Sequence, residues 1–184
     1  IKIFENNNIV DAIKHPEIFG NRPPLIYILN KIFNPFFYDL EKYRLCVFIL
    51  SLFGPLFLYI GLKIRFKDIK SEYLALLSVI ILLSPYYRTS AFWALNENYG
   101  IVTAILSLVF LNLSFSKQLI ESNKKSFYYF CTLFFSSLCV YFDQKLIIIP
   151  LICFLTFFFN VKKIKTIFLI CLGYVILSIP FLYL

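Results

Sequence analysis

The sequence predicts an all-α protein whose helices form a polytopic transmembrane bundle. Of its 184 residues, 60% are hydrophobic and only 15% are charged, and the mean hydropathy is +0.80. A soluble domain of this size cannot bury so much apolar surface, so lipid must solvate much of it. The formal net charge of +8 is distributed between apolar runs rather than along one face, which argues against a nucleic acid partner.

Residues 1–43 are predicted to form an external loop and a juxtamembrane segment. Within them, residues 8–14 place Ile9, Val10 and Ile13 on one face, which predicts a short amphipathic helix. The first twenty residues are too polar for a signal peptide. Because the chain contains no methionine and starts at Ile1, we expect a fragment whose first span, running outward from the cytoplasm, lies upstream.

Residues 44–184 are predicted to add about six transmembrane helices, so that residues 1–184 form a single membrane domain. The apolar runs lie at 44–62, 72–87, 99–115, 127–142, 146–160 and 166–184. Several are shorter than the roughly 20 residues that a straight crossing needs. Partly buried flanks such as 89–95 can extend them, or they can end below the membrane surface around a cavity.

The lysines and arginines between these runs predict the topology. Cations cluster in three alternate loops, and the positive-inside rule assigns these loops to the cytoplasm: Lys63, Arg65, Lys67 and Lys70; Lys117, Lys124 and Lys125; Lys162, Lys163 and Lys165. The connections at 86–98 and 143–145 then face outward, as does the segment 1–43. The abundance of Ile, Lys, Asn and Phe suggests an AT-rich genome, so we expect a multi-pass protein of a bacterial inner membrane.

The external face carries the polar groups that the topology does not explain. Ionisable groups near apolar runs are costly and are therefore functional candidates. Arg88 follows a Pro-Tyr-Tyr sequence, and Glu97 lies in an aromatic-rich stretch with Asn96 and Asn98. Two interpretations of Arg88 and Glu97 remain open. They either anchor the chain at the interface and start a helix, or they bind substrate or metal.

The remaining external polar groups have simpler explanations. Residues 143–145, Asp-Gln-Lys, form a short turn that needs polar residues in any case, although Gln144, Lys145 and Asn98 are candidate headgroup contacts. His15 is interpreted as a solvated loop residue, and one histidine without a spaced acid predicts no zinc site. The five cysteines all lie in apolar segments without a Cys-x-x-Cys pair, and are interpreted as small buried or lipid-facing side chains.

Residues 21–27, Asn-Arg-Pro-Pro-Leu-Ile-Tyr, open the first long apolar stretch. Pro23 and Pro24 fix φ and prevent the preceding chain from continuing as a helix. Arg22 then stays at the level of the lipid headgroups, where its planar fork of donors suits a phosphate. The motif therefore indicates a membrane enzyme that handles a lipid-linked phosphate.

With Leu25 and Tyr27, this motif and the external stretch 85–99 resemble the integral-membrane glycosyltransferases of the C-type fold, in particular the branch of the lipid A aminoarabinose transferases and protein O-mannosyltransferases. The layout is similar over the whole chain, but the motifs match only at 9–27 and 85–99. The resemblance implies transfer of a sugar from a polyprenyl-phosphate donor to a lipid or glycan acceptor on the external, periplasmic side.

The resemblance also implies roles for particular residues. Arg22 would bind the donor phosphate, Arg88 would neutralise the leaving phosphate, and Glu97 would help to orient the acceptor or bind metal. Asn21 stands where relatives often carry an acid, and the acidic pair that holds the catalytic base is expected upstream of Ile1, so the catalytic residues are not identified. A divalent metal suits this chemistry, but no ligand set for one is evident.

Two other functional classes remain open. Transporters or flippases of lipid-linked sugars also carry external charges, but they tend to place paired charges and Gly/Pro breaks at mid-membrane and often contain internal repeats. This chain has five glycines and no obvious repeat, and its candidate charges gather at one membrane face. These features favour an enzyme. The third class is a purely structural membrane subunit.

Overall fold

A computed structural model describes residues 3, 6–15, 25–116 and 122–179, and every regular element within them is helical. The α-helices in chain order are α1 Ile9–Ile13, α2 Leu25–Phe33, α3 Leu40–Arg65, α4 Ser71–Val79, α5 Pro85–Phe92, α6 Asn96–Phe115, α7 Ser122–Phe142, α8 Ile148–Asn160 and α9 Ile164–Ser178. Short 3₁₀ turns at Ile80–Leu83 and Gln144–Ile147 join α4 to α5 and precede α8. The predicted all-α class is confirmed.

Two helices, α3 with 26 residues and α6 with 20, are long and apolar enough to cross a membrane. A third span exists if α4 and α5 are taken together, although the axis bends by 66° between them. The apolar run predicted at 72–87 is therefore interrupted at Ser84, between the 3₁₀ turn that follows α4 and the start of α5. Ser84 accepts a hydrogen bond from the Tyr87 N–H at 3.4 Å, and Pro85 starts α5, so a new helix begins inside the apolar run.

The remaining predicted segments are helical but differ in extent. The segment predicted at 127–142 lies inside α7, and the one at 146–160 starts in a 3₁₀ turn before α8. The last predicted segment coincides with α9 as far as residue 178, and its final residues, 180–184, lie outside the described part of the chain. Residues 86–92, predicted as part of an outward connection, belong to α5. The segment predicted to be external, 1–43, contains α2 in addition to α1, and α1 lies within the stretch 8–14 predicted to be helical.

Helices α3 and α6 run parallel to each other in close contact. The Asn112 amide donates to the Gly61 carbonyl at 3.4 Å, and a Cβ on Gly61 would lie 3.2 Å from the Val109 side chain. At the other end of both helices, Tyr43 and Val47 share a hydrophobic cluster with Ala94, which stands just before α6. Small residues at the contact let two apolar helices approach closely, as helices do in a lipid environment.

Helix α3 contains an internal proline whose structural cost is offset by a neighbouring helix. Pro55 has no N–H, so the carbonyl of Ser51, four residues earlier, loses its usual partner. The hydroxyl of buried Tyr87 in α5 donates to that carbonyl instead. Gly54 leaves room for it, because a Cβ there would collide with the Tyr87 hydroxyl. This contact joins α5 to α3 within the apolar layer.

Aromatic rings bring α6, α7 and α8 together at the end of the bundle where α6 and α8 finish. The Phe115 ring lies 6.3 Å from Tyr129 of α7 and 6.0 Å from Phe157 of α8, and the latter two rings are 5.0 Å apart. We call this the basic end, because it gathers the described cations Lys63, Arg65, Lys67, Lys70, Lys124, Lys125, Lys162, Lys163 and Lys165. The three loops predicted to share one membrane face therefore lie at one end of the bundle.

Candidate functional site

The opposite end, which we call the polar end, is formed by residues 3, 6–15, 25–44, 85–99 and 143–145. These are the described parts of the chain that the sequence assigns to the external side, together with the start of α3. A hydrophobic cluster holds them together: buried Ala12, Phe37, Tyr43, Val47 and Ala94, with Ile3, Tyr27, Ile28 and Tyr99 packed against them. The amphipathic helix α1 contributes Ala12, which is fully buried.

Two hydrogen bonds connect the polar end across large sequence separations. Asn30 of α2 is buried, and its Oδ1 accepts from the Tyr99 hydroxyl at 3.3 Å. The Tyr86 hydroxyl of α5 donates to Asp143 Oδ2 at 3.0 Å. Asp143 Oδ1 also accepts from the Lys145 backbone N–H at 3.1 Å, so this carboxylate fixes the turn and ties it to α5. The interpretation of 143–145 as a structural turn is confirmed for Asp143.

The structure describes only part of the motif that the sequence singled out. Arg22, Pro23 and Pro24 lie outside the described residues, so the predicted phosphate contact of Arg22 remains a prediction. Leu25 is the first residue of α2, and both Leu25 and Tyr27 are half-buried. Among the described residues, no group of three His, Cys, Asp or Glu side chains could hold a metal ion.

The other predicted site residues lie on α5, α6 and the turn before α8. Arg88, Gln144 and Lys145 are exposed, and the Lys145 ammonium lies 5.9 Å from the centre of the Tyr86 ring. Glu97 is half-buried in the first turn of α6, where the helix dipole favours a negative charge. The structure brings these residues to the same end of the bundle, and it does not show contacts between Arg88 and Glu97.

Asn98 differs from the other predicted site residues that the structure describes because it is completely buried. Its side chain has 0% exposure, and neither Nδ2 nor Oδ1 has a hydrogen-bond partner among the described residues. An unpaired buried amide costs about 1–3 kcal/mol. Native proteins keep few such groups, so this one needs a physical explanation.

Arg44 has a comparable environment that the sequence did not reveal. Its guanidinium carbon lies 4.9 Å from the centre of the Trp93 ring, and its buried Nε has no hydrogen-bond partner in the described chain. Arg44 is the first residue of the apolar run predicted at 44–62, and the sequence gives no sign that it is stacked on an aromatic ring. The only available signal was its position at the start of the first apolar run.

The turn between α5 and α6 sets the geometry of both groups. Helix α5 ends in a Schellman-type cap, in which the Leu95 N–H donates to the Ser90 carbonyl at 2.9 Å. Ala94 takes the left-handed position of that cap, with φ of 53°, although glycine is favoured there. Trp93 is thereby directed to Arg44, and α6 starts immediately after the turn.

Comparisons with protein-family models, with curated proteins and with solved structures found no match. The chemistry of the polar end therefore has to be inferred from its own residues.

Proposed function

We propose that this chain is a glycosyltransferase that moves a sugar from a polyprenyl-phosphate-linked donor to a lipid or glycan acceptor at the external face of a bacterial inner membrane. One observation carries the proposal: cations, a carboxylate and unpaired amide atoms gather at the polar end of a bundle whose middle is uncharged. No charged residue stands between Arg44 and Lys63 in α3, or between Glu97 and the end of α6.

This distribution suits chemistry on a substrate whose tail lies in the membrane and whose reactive group lies at the interface. The donor phosphate would meet the motif at 21–27 and the exposed guanidinium of Arg88. The acceptor hydroxyl or amine would attack the anomeric carbon, its bond to the phosphate oxygen would break, and the acceptor proton would pass to a carboxylate, for which Glu97 is the described candidate. Positioning and charge neutralisation supply most of the rate enhancement in such transfers.

The test is transfer of radiolabelled sugar from a polyprenyl-phosphate donor by membranes that contain the full-length protein. We expect Arg22→Ala to lose most of the transfer, and Arg65→Ala, which removes a cation from the basic end, to retain it. Glu97→Gln should lower the rate of transfer while leaving the amount of protein in the membrane unchanged. A wild-type protein that is folded and inactive with all such donors would overturn the proposal.

One feature favours a second candidate, a transporter or flippase of lipid-linked sugars. The 66° bend between α4 and α5 resembles the broken helices on which transporters build their binding sites. Movement of a fluorescent polyprenyl-phosphate sugar between the leaflets of proteoliposomes, without acceptor, would support this candidate. An enzyme should require the acceptor and leave the leaflet distribution unchanged.

A further inference from the structure

Three buried side-chain atoms without hydrogen-bond partners stand out among the described residues: Arg44 Nε, Asn98 Nδ2 and Asn98 Oδ1. All three belong to the polar end. Elsewhere in the apolar layer, polar side chains are paired. For example, Ser107 donates to the Ala104 carbonyl at 2.7 Å, and Ser136 lies 3.0 Å from the Tyr174 hydroxyl. The unpaired atoms are therefore a local feature of one site.

The packing of α3 and α6 shows how close in depth these two residues lie. Val109 and Asn112 contact Gly61, so parallel positions in the two helices differ by 48 to 51 residues. On that register Asn98 lies level with residues 47–50 of α3, about one to two helical turns deeper than Arg44. Asn98 also lies close to the azimuth of Val109, because eleven residues make about three turns, and it therefore belongs to the face of α6 that packs against α3.

The same turn connects both side chains. Arg44 stacks on Trp93, and the backbone N–H of Asn98 donates to the carbonyl of Leu95 at 3.2 Å. Within residues 93–95, Trp93 therefore contacts the Arg44 guanidinium, and Leu95 accepts a hydrogen bond from the first turn of α6. The turn therefore lies between a guanidinium and a buried amide whose Nδ2 and Oδ1 have no hydrogen-bond partner among the described residues.

We infer that Arg44, Trp93 and Asn98 form a subsite for the headgroup of a polyprenyl-phosphate sugar. The Arg44 guanidinium binds the phosphate through donors that stacking on Trp93 leaves unused. The Asn98 amide donates to and accepts from the sugar hydroxyls, which have the same mixed hydrogen-bonding capacity. The assignment rests on the proposed function, and it names the residues that hold the donor on the α3 side.

Trp93 is the single tryptophan of the 184-residue sequence, and comparison with a Trp93→Phe variant identifies the emission that reports on this subsite. The experiment titrates the full-length protein in nanodiscs with polyprenyl phosphate, and with polyprenol as the ligand that lacks the phosphate. We expect a saturable change in emission with polyprenyl phosphate only. Arg44→Gln should weaken the apparent affinity at least tenfold, whereas Arg65→Gln, at the far end of the same helix, should leave it within twofold.

Asn98→Leu tests the second half of the subsite. Because leucine is larger than asparagine and the site is completely buried, Asn98→Ala is measured beside Asn98→Leu to exclude overpacking. The leucine variant keeps the branched shape of the side chain and has no polar atoms. It should bind polyprenyl phosphate within twofold of the wild-type affinity but transfer sugar at least tenfold more slowly. A purely structural asparagine would give unchanged transfer, and that result would overturn its role.

The outcomes distinguish this assignment from the proposed function. Wild-type sugar transfer together with unchanged phosphate affinity in Arg44→Gln would overturn the subsite and leave the proposed function standing. Absence of both sugar transfer and a fluorescence response in folded wild-type protein would overturn both. Arg44→Lys keeps the charge but not the planar fork, so it should recover part of the lost affinity and guards against misfolding of Arg44→Gln.

Discussion

Replacing Tyr87 by phenylalanine should destabilise the protein because it exposes the defect that Pro55 creates in α3. The carbonyl of Ser51 has no N–H partner four residues later, and the Tyr87 hydroxyl supplies one from α5. Tyr87 has only 1% exposure, so water does not replace the hydroxyl. Phenylalanine fills the same space and leaves no large cavity, and the loss is therefore that of one buried hydrogen bond.

The magnitude follows from the environment of the carbonyl. A typical intramolecular hydrogen bond contributes about 1 kcal/mol net, and leaving its buried partner unpaired costs about 1–3 kcal/mol. Lipid offers no donor that could take over. We therefore expect Tyr87→Phe to lower the free energy of unfolding by about 2 kcal/mol. Tyr73→Phe, at an exposed ring, is the matched control and should have little effect.

A double-mutant cycle with Pro55→Ala isolates this interaction. Alanine restores an N–H at position 55, which can donate to the Ser51 carbonyl and make the Tyr87 hydroxyl dispensable. In that background Tyr87→Phe should cost less than about 0.5 kcal/mol, a coupling of roughly 1.5 kcal/mol. Reversible unfolding of the four proteins by SDS in mixed micelles measures it. Equal losses in both backgrounds would refute the reasoning.

Three further positions, Ala94, Gly100 and Asp143, are tested by the same unfolding measurement, each with a control substitution. Ala94→Val puts a β-branched residue at φ of 53° and should cost about 2 kcal/mol or more, whereas Ala94→Gly should be nearly neutral because it exchanges relief of strain for one lost methyl. Gly100→Ala should cost about 1–3 kcal/mol, because its Cβ would lie 2.8 Å from Leu146 Cδ1 and also 3.2 Å from Asp143 Cβ and 3.4 Å from the Cys139 carbonyl, so that the Leu146 side chain is not the only neighbour that must move. Gly173→Ala, which meets only the end of the Leu133 side chain at 3.3 Å, should be tolerated. Asp143→Ala removes two hydrogen bonds and should lower the free energy of unfolding by about 1–2 kcal/mol. Gln144→Ala, at an exposed side chain, is the control. Equal stability of the two variants would contradict the conclusion that Asp143 stabilises the turn.

The sequence predicted those features of the fold that depend on local pattern. Apolar runs gave the positions of α3 and α6 within a few residues, and the lysine clusters predicted which loops share one end of the bundle. The break before α5 also had a local signal in Ser84 and Pro85, a helix-capping residue followed by a proline at the first helical position. The prediction of a membrane segment at 72–87 followed the length and hydropathy of the run and did not use this capping signal.

The candidate site was less predictable because its geometry depends on contacts between distant segments. The contact between Asn30 and Tyr99 joins residues 69 positions apart, and that between Tyr86 and Asp143 joins residues 57 positions apart. Sequence alone identified Asn98 as a candidate for headgroup contact, but it could not show that the amide is completely buried. Arg44 was visible only as one external cation among several, since its stacking on Trp93 depends on where α5 ends.

At the polar end, the residues that fix the helices against each other are hydrogen-bonded, whereas Arg44 and Asn98 carry side-chain atoms without partners among the described residues. Tyr87 satisfies the carbonyl that Pro55 leaves free, and this fixes α5 against α3. The end of α5 then places Trp93 beneath Arg44 and starts α6 just before Asn98. The supporting contacts are hydrogen-bonded, as between Tyr87 and Ser51 and between Leu95 and Ser90, while Arg44 and Asn98 keep unpaired side-chain atoms. Rigid, satisfied support beneath unsatisfied polar groups is the arrangement that binding requires, because it holds those groups in position before the ligand arrives.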